Sequence, residues 1–225
     1  SGPKLSRQGR LVTDGSLGVS GLKARLSAVV GKAFKPQAAI YGSVVPGLDT
    51  KLEKAVEALY GRRPARVDSK TKLGIRLRVD NPGEVGADRL LNALAAFRLF
   101  GGPAIVIDFG TATTFDCVSR TGEYLGGAIL PGPVMVAGAL HQGTAKLPLV
   151  KIRKPARAIG KNTVECIEAG LYFGTLGMVE KLLNLTVREM SGRSGRPIKL
   201  LATGGLSTLF ARDLPSGVCA VPDLT

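Results

Sequence analysis

The sequence predicts an α/β protein with mixed sheets flanked by helices. Three observations carry that expectation. Ala104-Ile105-Val106-Ile107 is an unbroken apolar run of strand length, as a strand buried on both faces requires. Such runs alternate along the chain with segments whose apolar residues recur at helical spacing. Thirty glycines and no tryptophan among 225 residues suit a sheet protein with many tight turns. At 44% hydrophobic, the chain has ample material for a core, in one large domain or two small ones.

Residues 1–19 show no period and read as loop or a short strand at best. Leu22, Leu26, Val29 and Val30 then fall at helical spacing, with Ser20 as the expected N-cap and Gly31 as the stop. Ala38 to Val45 reads as a buried strand ended by Pro46, which cannot donate to a ladder. Leu48, Leu52, Ala55, Val56 and Leu59 follow at helical period behind Asp49 as cap, and Gly61 closes that helix. A short strand is expected from Val67, which makes a strand-helix-strand unit. No chemistry is assigned to it.

Lys72 to Asp80 is basic and extended, and Asn81-Pro82-Gly83 is a strong turn signal. Gly86-Ala87-Asp88-Arg89 leads into a helix through Leu90, Leu94 and Phe97 that Gly101-Gly102-Pro103 terminates. After the Ile105 strand and the turn at Asp108, Thr114 to Ser119 returns as a second strand and Tyr124 to Ile129 as a third. A helix starting at Pro131-Gly132-Pro133 reaches about Gln142, residues 144–158 form a basic, proline-punctuated excursion, and Gly160-Lys161-Asn162-Thr163 caps a long helix that fades near Ser191. Pro197 to Ala202 is another buried strand, and Thr203-Gly204-Gly205 turns from it into a short helix at Leu206–Phe210 before a last strand at Val218–Val221.

Chemistry-bearing residues gather at few points. Asp108-Phe109-Gly110-Thr111 delivers a carboxylate, a flexible glycine and a hydroxyl to the carboxyl end of a buried strand, where open α/β sheets bind ligands. Backbone N–H groups of such a turn can face an anion while hydroxyl and carboxylate groups arrange a metal and phosphoryl oxygens, which is how actin-like ATPases and sugar kinases cradle phosphate. Gly204 and Gly205 place further N–H groups at a helix start. Asp88 has a bland reading, first-turn stabilisation of its helix, and Asn92 lies one turn along on the same face. His141, the one histidine, has no partner carboxylate or cysteine in the pattern and reads as a residue of a helix end.

Composition bounds the function classes. Three cysteines, far apart and without a C-x-x-C pair, indicate neither a disulfide framework nor a zinc site, and a reducing cytoplasm is the simplest setting. Leu125 to Ala145 lacks charge, but its glycines and prolines interrupt any spanning helix, so no membrane segment is expected. Ser1-Gly2-Pro3-Lys4 carries no apolar core of a signal peptide. The net charge of +14 draws anionic partners to the surface. Its densest clusters, Arg62 to Arg66 and Arg188 to Arg196, lack interleaved aromatics, so a solvated basic face is expected ahead of a nucleic-acid platform.

Taken together, Gly86-Ala87-Asp88-Arg89, the stretch Asp108 to Asp116, Gly126-Gly127-Ala128-Ile129, Gly160-Lys161-Asn162-Thr163 and Ala202-Thr203-Gly204-Gly205 resemble the type III pantothenate kinases, from about Ser20 to the C-terminus. The resemblance implies a duplicated ribonuclease-H-like fold of the actin and sugar-kinase superfamily. Residues 1–101 would be its first domain, incomplete, and 102–225 its second. It also implies a cytoplasmic homodimer with interface active sites that phosphorylates pantothenate with ATP, Mg²⁺ and a monovalent cation, K⁺ or NH₄⁺. By motif position Asp88 resembles the general base, and Gly86, Ala87, Asp88, Arg89 and Thr163 the pantothenate contacts. Thr111 resembles an ATP contact, with Gly110, Gly204 and Gly205 alongside, and Asp108 the cation ligand. The family's first phosphate loop, of the Asp-x-Gly-Asn-Thr kind, has no counterpart before Ser20, and Val79 stands where the family places a tyrosine. The alternative function is a weakened or inactive homologue acting as a binding or regulatory protein, associated with nucleic acid through its basic surface.

Overall fold

The computed structural model describes residues 9, 16–31, 33–43, 45, 47–68, 70–194 and 197–224. The chain divides into two compact units, one of residues 1–71 with 83–88 and one of 72–82 with 89–225.

In the first unit, helix α1 (Val19–Val30) packs on helix α2 (Leu48–Tyr60), and two three-residue strands, β1 (Ile40–Gly42) and β2 (Ala65–Val67), pair in parallel. The expected strand-helix-strand unit is therefore present, with two corrections of its detail. The strand expected over Ala38–Val45 is three residues long and not buried: Ile40 is 70% exposed. Val44 and Pro46 lie outside the described residues. The caps also differ from expectation. Gly18 rather than Ser20 precedes α1, and Gly47 rather than Asp49 precedes α2. Asp49 instead lies in the first turn of α2 and pairs with Arg66 at 3.1 Å. Glu53 bridges the Tyr41 hydroxyl and Arg63, so part of the Arg62–Arg66 cluster serves internal ion pairs.

The second unit is built on a five-stranded sheet in the order β5-β4-β3-β6-β7: β3 (Ala104–Phe109), β4 (Ala112–Val118), β5 (Tyr124–Pro131), β6 (Lys199–Thr203) and β7 (Val218–Ala220). The first three form the expected antiparallel meander, and β6 and β7 add in parallel beside β3. The sheet is thus mixed. Flanking it are α3 (Ala87–Phe100), α4 (Pro133–Gln142), α5 (Thr163–Ser194) and the single turn α6 (Ser207–Phe210).

Strand β3 sits at the centre because its apolar run can be covered on both faces, and Ala104 to Ile107 are fully buried. The period of two sends Ile105, Ile107 and Phe109 to one face, with Phe115 and Cys117 of β4. There they meet Tyr172, Leu176, Val179 and Leu183 of α5 and Phe210 of α6. Phe109, Phe210 and Tyr172 stack in sequence, with centroid separations of 5.0 and 5.1 Å. Cys117 lies in this core, where burial pushes its thiol up to about 12, away from thiolate reactivity. Asp108, Thr114 and Asp116 point to the opposite face, toward α3.

Phe210→Ala is expected to destabilise the protein by about 3–5 kcal/mol, because it removes the middle ring of the stack from a fully buried site. Urea unfolding followed by near-ultraviolet circular dichroism measures it, and a loss below about 1 kcal/mol would contradict the central role given to that ring.

Candidate active site

The site is assembled where the carboxyl ends of β3 and β6 lie side by side, with Asp108 in register with Thr203 and, across the meander, with Thr114. Immediately after these positions the two strands turn, at Gly110 and Gly204. Gly204 adopts φ 89°, which side-chain-bearing residues rarely take, and a Cβ there would collide with Asp108 Oδ1 and stand 2.8 Å from the Phe109 carbonyl. A Cβ on Gly110 would lie 3.5 Å from the same carboxylate oxygen. The Gly204 turn is therefore drawn in against Asp108 Oδ1, with backbone where another residue would place a side chain, and the Gly110 turn passes the same oxygen at ordinary contact distance. Leu206, not Gly205, directly precedes α6, and that helix is one turn long, so the helix-start reading of Gly204-Gly205 gives way to one in which the glycines bring backbone close to Asp108.

Beneath this junction lies a network of buried polar side chains. Asp116 is completely buried. Arg89 Nε donates to its Oδ1 at 2.7 Å and Arg89 Nη2 to the Phe115 carbonyl at 2.9 Å, while the guanidinium stands 5.7 Å from the centre of the Tyr124 ring. The Tyr124 hydroxyl donates to Oδ1 at 3.3 Å, and Thr114 Oγ1 donates to Oδ2 at 3.2 Å. Asn92 Nδ2 spans two carboxylates, 2.9 Å from Asp108 Oδ2 and 3.4 Å from Asp116 Oδ2. Desolvation raises the Asp116 pKa, against the charge and hydrogen bonds of Arg89 and the bonds from Asn92 and Thr114. Asn92 Oδ1 and Thr113 Oγ1 are buried without a hydrogen-bond partner, a condition that ordinarily costs about 1–3 kcal/mol each.

The sequence-predicted residues are distributed as follows. Asp108, Gly110 and Gly204 come together. Arg89 is tied into the same network through Asp116 and Asn92, with Nε and Nη2 both turned into the interior. Thr111 is exposed in the β3–β4 turn, and its carbonyl accepts the Gly132 N–H at 3.2 Å. Gly205 is exposed beside Gly204. Gly86 precedes α3, Ala87 is buried, and Asp88 is exposed in the first turn of that helix. Thr163 is the first residue of α5, where it lines a groove of about 430 Å³ with Val136 and Leu140 of α4 and Leu171 of α5. Its helix start is capped by a reciprocal pair. Asn162 Oδ1 accepts the Glu165 N–H at 2.9 Å, and Glu165 accepts from Lys161 N and Asn162 Nδ2. His141, at the end of α4, meets the Leu147 carbonyl through Nδ1 at 2.8 Å.

Asn92 and Asp116 are the residues whose site position the sequence did not assign. A signal for Asn92 existed, since it lies one turn after Asp88 among otherwise apolar positions. For Asp116 the signal was a carboxylate at a strand position with Phe115 and Cys117 on either side.

The residues fit an anionic, phosphate-bearing ligand with a cation. The glycine turns leave room for backbone to approach, and Asp108 supplies a hard oxygen donor. Among the described residues no group of three or more His, Cys, Asp or Glu side chains could hold a metal. A cation at Asp108 would therefore complete its shell with carbonyl, water and ligand oxygens. Nor is any described helix long and apolar enough to cross a membrane.

A family model described as type III pantothenate kinase matches residues 1–185. The match begins at residue 1, ahead of Ser20, where the resemblance is expected to start, and it ends before the Gly204 turn. A type III pantothenate kinase of Koribacter versatilis is 49% identical over 171 residues, which are 76% of this chain and 61% of that protein. One of Moorella thermoacetica is 45% identical over 178 residues, 79% of this chain and 68% of that protein. The chain thus spans about three fifths to two thirds of the length of these relatives. Among solved structures, a Campylobacter jejuni protein assigned to the Baf family of transcriptional activators superposes with a TM-score of 0.52 at 18% identity, over 86% of this chain and 80% of that one, a likeness of fold alone.

Two outcomes follow from this geometry. Arg89→Met leaves Asp116 buried and unpaired and is expected to destabilise by about 3–5 kcal/mol, most of which the double variant Arg89→Met/Asp116→Leu recovers; chemical unfolding of the three proteins measures this, and an unrecovered loss would contradict it. At the start of α5, the Lys161 N–H and then Arg157 hold the Glu165 carboxyl below its ordinary value near 4.5. Because the folded-state value is depressed, its stabilisation is present above 4.5 and is lost as pH falls through the folded value. Amide exchange at Lys161 and Glu165 should accelerate over that window and become pH-insensitive there in Glu165→Gln, once intrinsic exchange is corrected for.

Proposed function

The chain belongs to the type III pantothenate kinase family, and on that premise we propose that it transfers the γ-phosphoryl group of ATP to the primary hydroxyl of pantothenate. The product is 4'-phosphopantothenate, and the reaction opens coenzyme A biosynthesis. The observation that carries the reading, in a chain of this family, is the convergence of Asp108, Gly110 and Gly204 at adjoining strand ends.

Asp88 is the general base in this reading. It takes the proton of the attacking hydroxyl as the new oxygen–phosphorus bond forms and the bond to ADP breaks, and its exposure in the first turn of α3 supports that role. Gly86, Ala87, Arg89 and Thr163 position pantothenate. With Nε and Nη2 of Arg89 committed to the interior, its part is largely to fix the loop-to-helix junction that presents Asp88. Asp108 holds the monovalent cation, K⁺ or NH₄⁺, and Thr111, Gly110, Gly204 and Gly205 meet the phosphates through backbone and hydroxyl groups. Mg²⁺, when bound with ATP, supplies charge neutralisation at the phosphoryl oxygens. The rate then comes from positioning and charge, not from covalent chemistry.

The same reading takes the fold as a duplicated ribonuclease-H-like one divided at residues 101 and 102. Its second copy is the sheet of three meander strands followed by two parallel ones, and its first copy includes β1, β2 and their helices. It takes the assembly as a cytoplasmic homodimer with interface active sites. Supporting this are the small residues Gly170, Gly174 and Gly177 along α5, where an added Cβ would meet nothing within 4 Å, and the exposed Met178 beside them.

With ATP, Mg²⁺ and K⁺, the protein is expected to release ADP only when pantothenate is present. Asp88→Ala is expected to lower that rate by about 10²–10⁴-fold with an unchanged thermal midpoint. A coupled ADP assay reads both, and a folded wild-type protein whose ADP release ignores pantothenate would overturn the assignment.

A further inference from the structure

Asn92 is 1% exposed on α3, with Leu90, Ala93 and Ala96 buried nearby and Arg89, one turn back, bonded to the same Asp116. An apolar side chain of similar size would fill the position without leaving a buried carbonyl oxygen unpaired, as Asn92 Oδ1 is. What the amide does instead is fixed by its neighbours. Its Nδ2 lies 2.9 Å from Asp108 Oδ2 and 3.4 Å from Asp116 Oδ2, and the opposite orientation would set a carbonyl against two carboxylates. The donor end is therefore the one that must face Asp108.

We propose that Asn92 is a positioning residue for the phosphate site: by holding Asp108 Oδ2 it sets the rotation of that carboxylate, so that Oδ1 stands against the two glycine turns at Gly110 and Gly204. The proposal deepens the kinase reading and rests on it for the identity of the nucleotide. Asp108 is half-buried and its two oxygens have different surroundings, Oδ2 toward α3 and Oδ1 toward the turns. Rotating the carboxylate exchanges them. Asp116 accepts the second bond of the same Nδ2 group and is itself clamped by Arg89, Thr114 and Tyr124. The chain of command runs from an ion pair whose carboxylate is fully buried, through one amide, to a half-exposed carboxylate at the strand end.

The test compares wild type with Asn92→Leu, which keeps the volume and removes the donor. Calorimetry with a non-hydrolysable ATP analogue, Mg²⁺ and K⁺ is expected to show nucleotide affinity at least tenfold weaker in the variant, with pantothenate affinity within twofold of wild type. In the ADP assay the variant should show a raised KM for ATP and an unchanged KM for pantothenate. Should Asn92→Leu fail to fold, the same titrations on Asn92→Ala decide. Unchanged nucleotide affinity in a folded variant overturns the proposal, and so does an equal loss of affinity for both ligands, the mark of a merely structural role. Wild type that binds the nucleotide analogue without phosphorylating pantothenate overturns the kinase assignment alone, since the ratio of nucleotide affinities still reports on Asn92. Wild type that binds no nucleotide overturns both.

Discussion

Asp116 is buried from solvent on every side, and four side chains meet its two carboxylate oxygens: Arg89 and Tyr124 on one, Thr114 and Asn92 on the other. A carboxylate in such a place is expensive, and its desolvation pushes toward the neutral form. The fold tolerates it because donors surround it and a guanidinium neutralises it. Remove any one of them and the remaining charge has no way back to water. This makes the pair Arg89–Asp116 a clamp between α3 and the meander rather than a source of net stability. It joins α3 to β4 and, through Asn92, reaches Asp108.

Much of this architecture is legible in the residues themselves. The central strand announces itself because four consecutive apolar residues have no other economical place in a sheet protein, and β4, β5, α5 and β6 follow from alternation, helical period and capping chemistry near Asn162. The first unit is less legible. Ala38 to Val45 is apolar enough to suggest a buried strand, yet only Ile40–Gly42 pairs, because a two-stranded sheet covers one edge and offers little to bury against. The caps are less legible too: composition favours the serine or aspartate nearby, yet Gly18 precedes α1 in an ordinary extended conformation and Gly47 precedes α2 in a left-handed one that favours glycine.

The site shows the same division. Motif spacing found the residues at the strand ends, since Asp108, Gly110 and Gly204 lie at chain positions where chemistry at the end of a parallel strand is expected. It did not find the support beneath them. Asn92 belongs to a helix whose period is set by its apolar neighbours, and Asp116 to a strand that would read the same with a threonine there. Their importance lies in distances across the sheet and helix, and no local pattern records those. The inward turn of Arg89 is a further case: a cation next to a proposed catalytic carboxylate invites assignment to a substrate, while its hydrogen bonds run to Asp116 and the Phe115 carbonyl.

The carboxylates of the site are graded by exposure, and the gradation matches the work proposed for each. Asp116 is sealed and fully partnered, so it can hold other groups in place but cannot meet a ligand. Asp108 is half-buried, with Oδ2 given to Asn92 and Oδ1 set against two glycine turns, a position suited to charge that must be fixed yet reach a phosphate or cation. Asp88 is exposed in the first turn of its helix, as the general-base role proposed for it requires. Order is thus imposed from the inside outward: the ion pair holds the amide, and the amide holds the half-buried carboxylate. A chain that kept Asp108 but lost the buried layer would keep the carboxylate and lose the bonds that orient it, so the strand-end motif is only as good as the support beneath it.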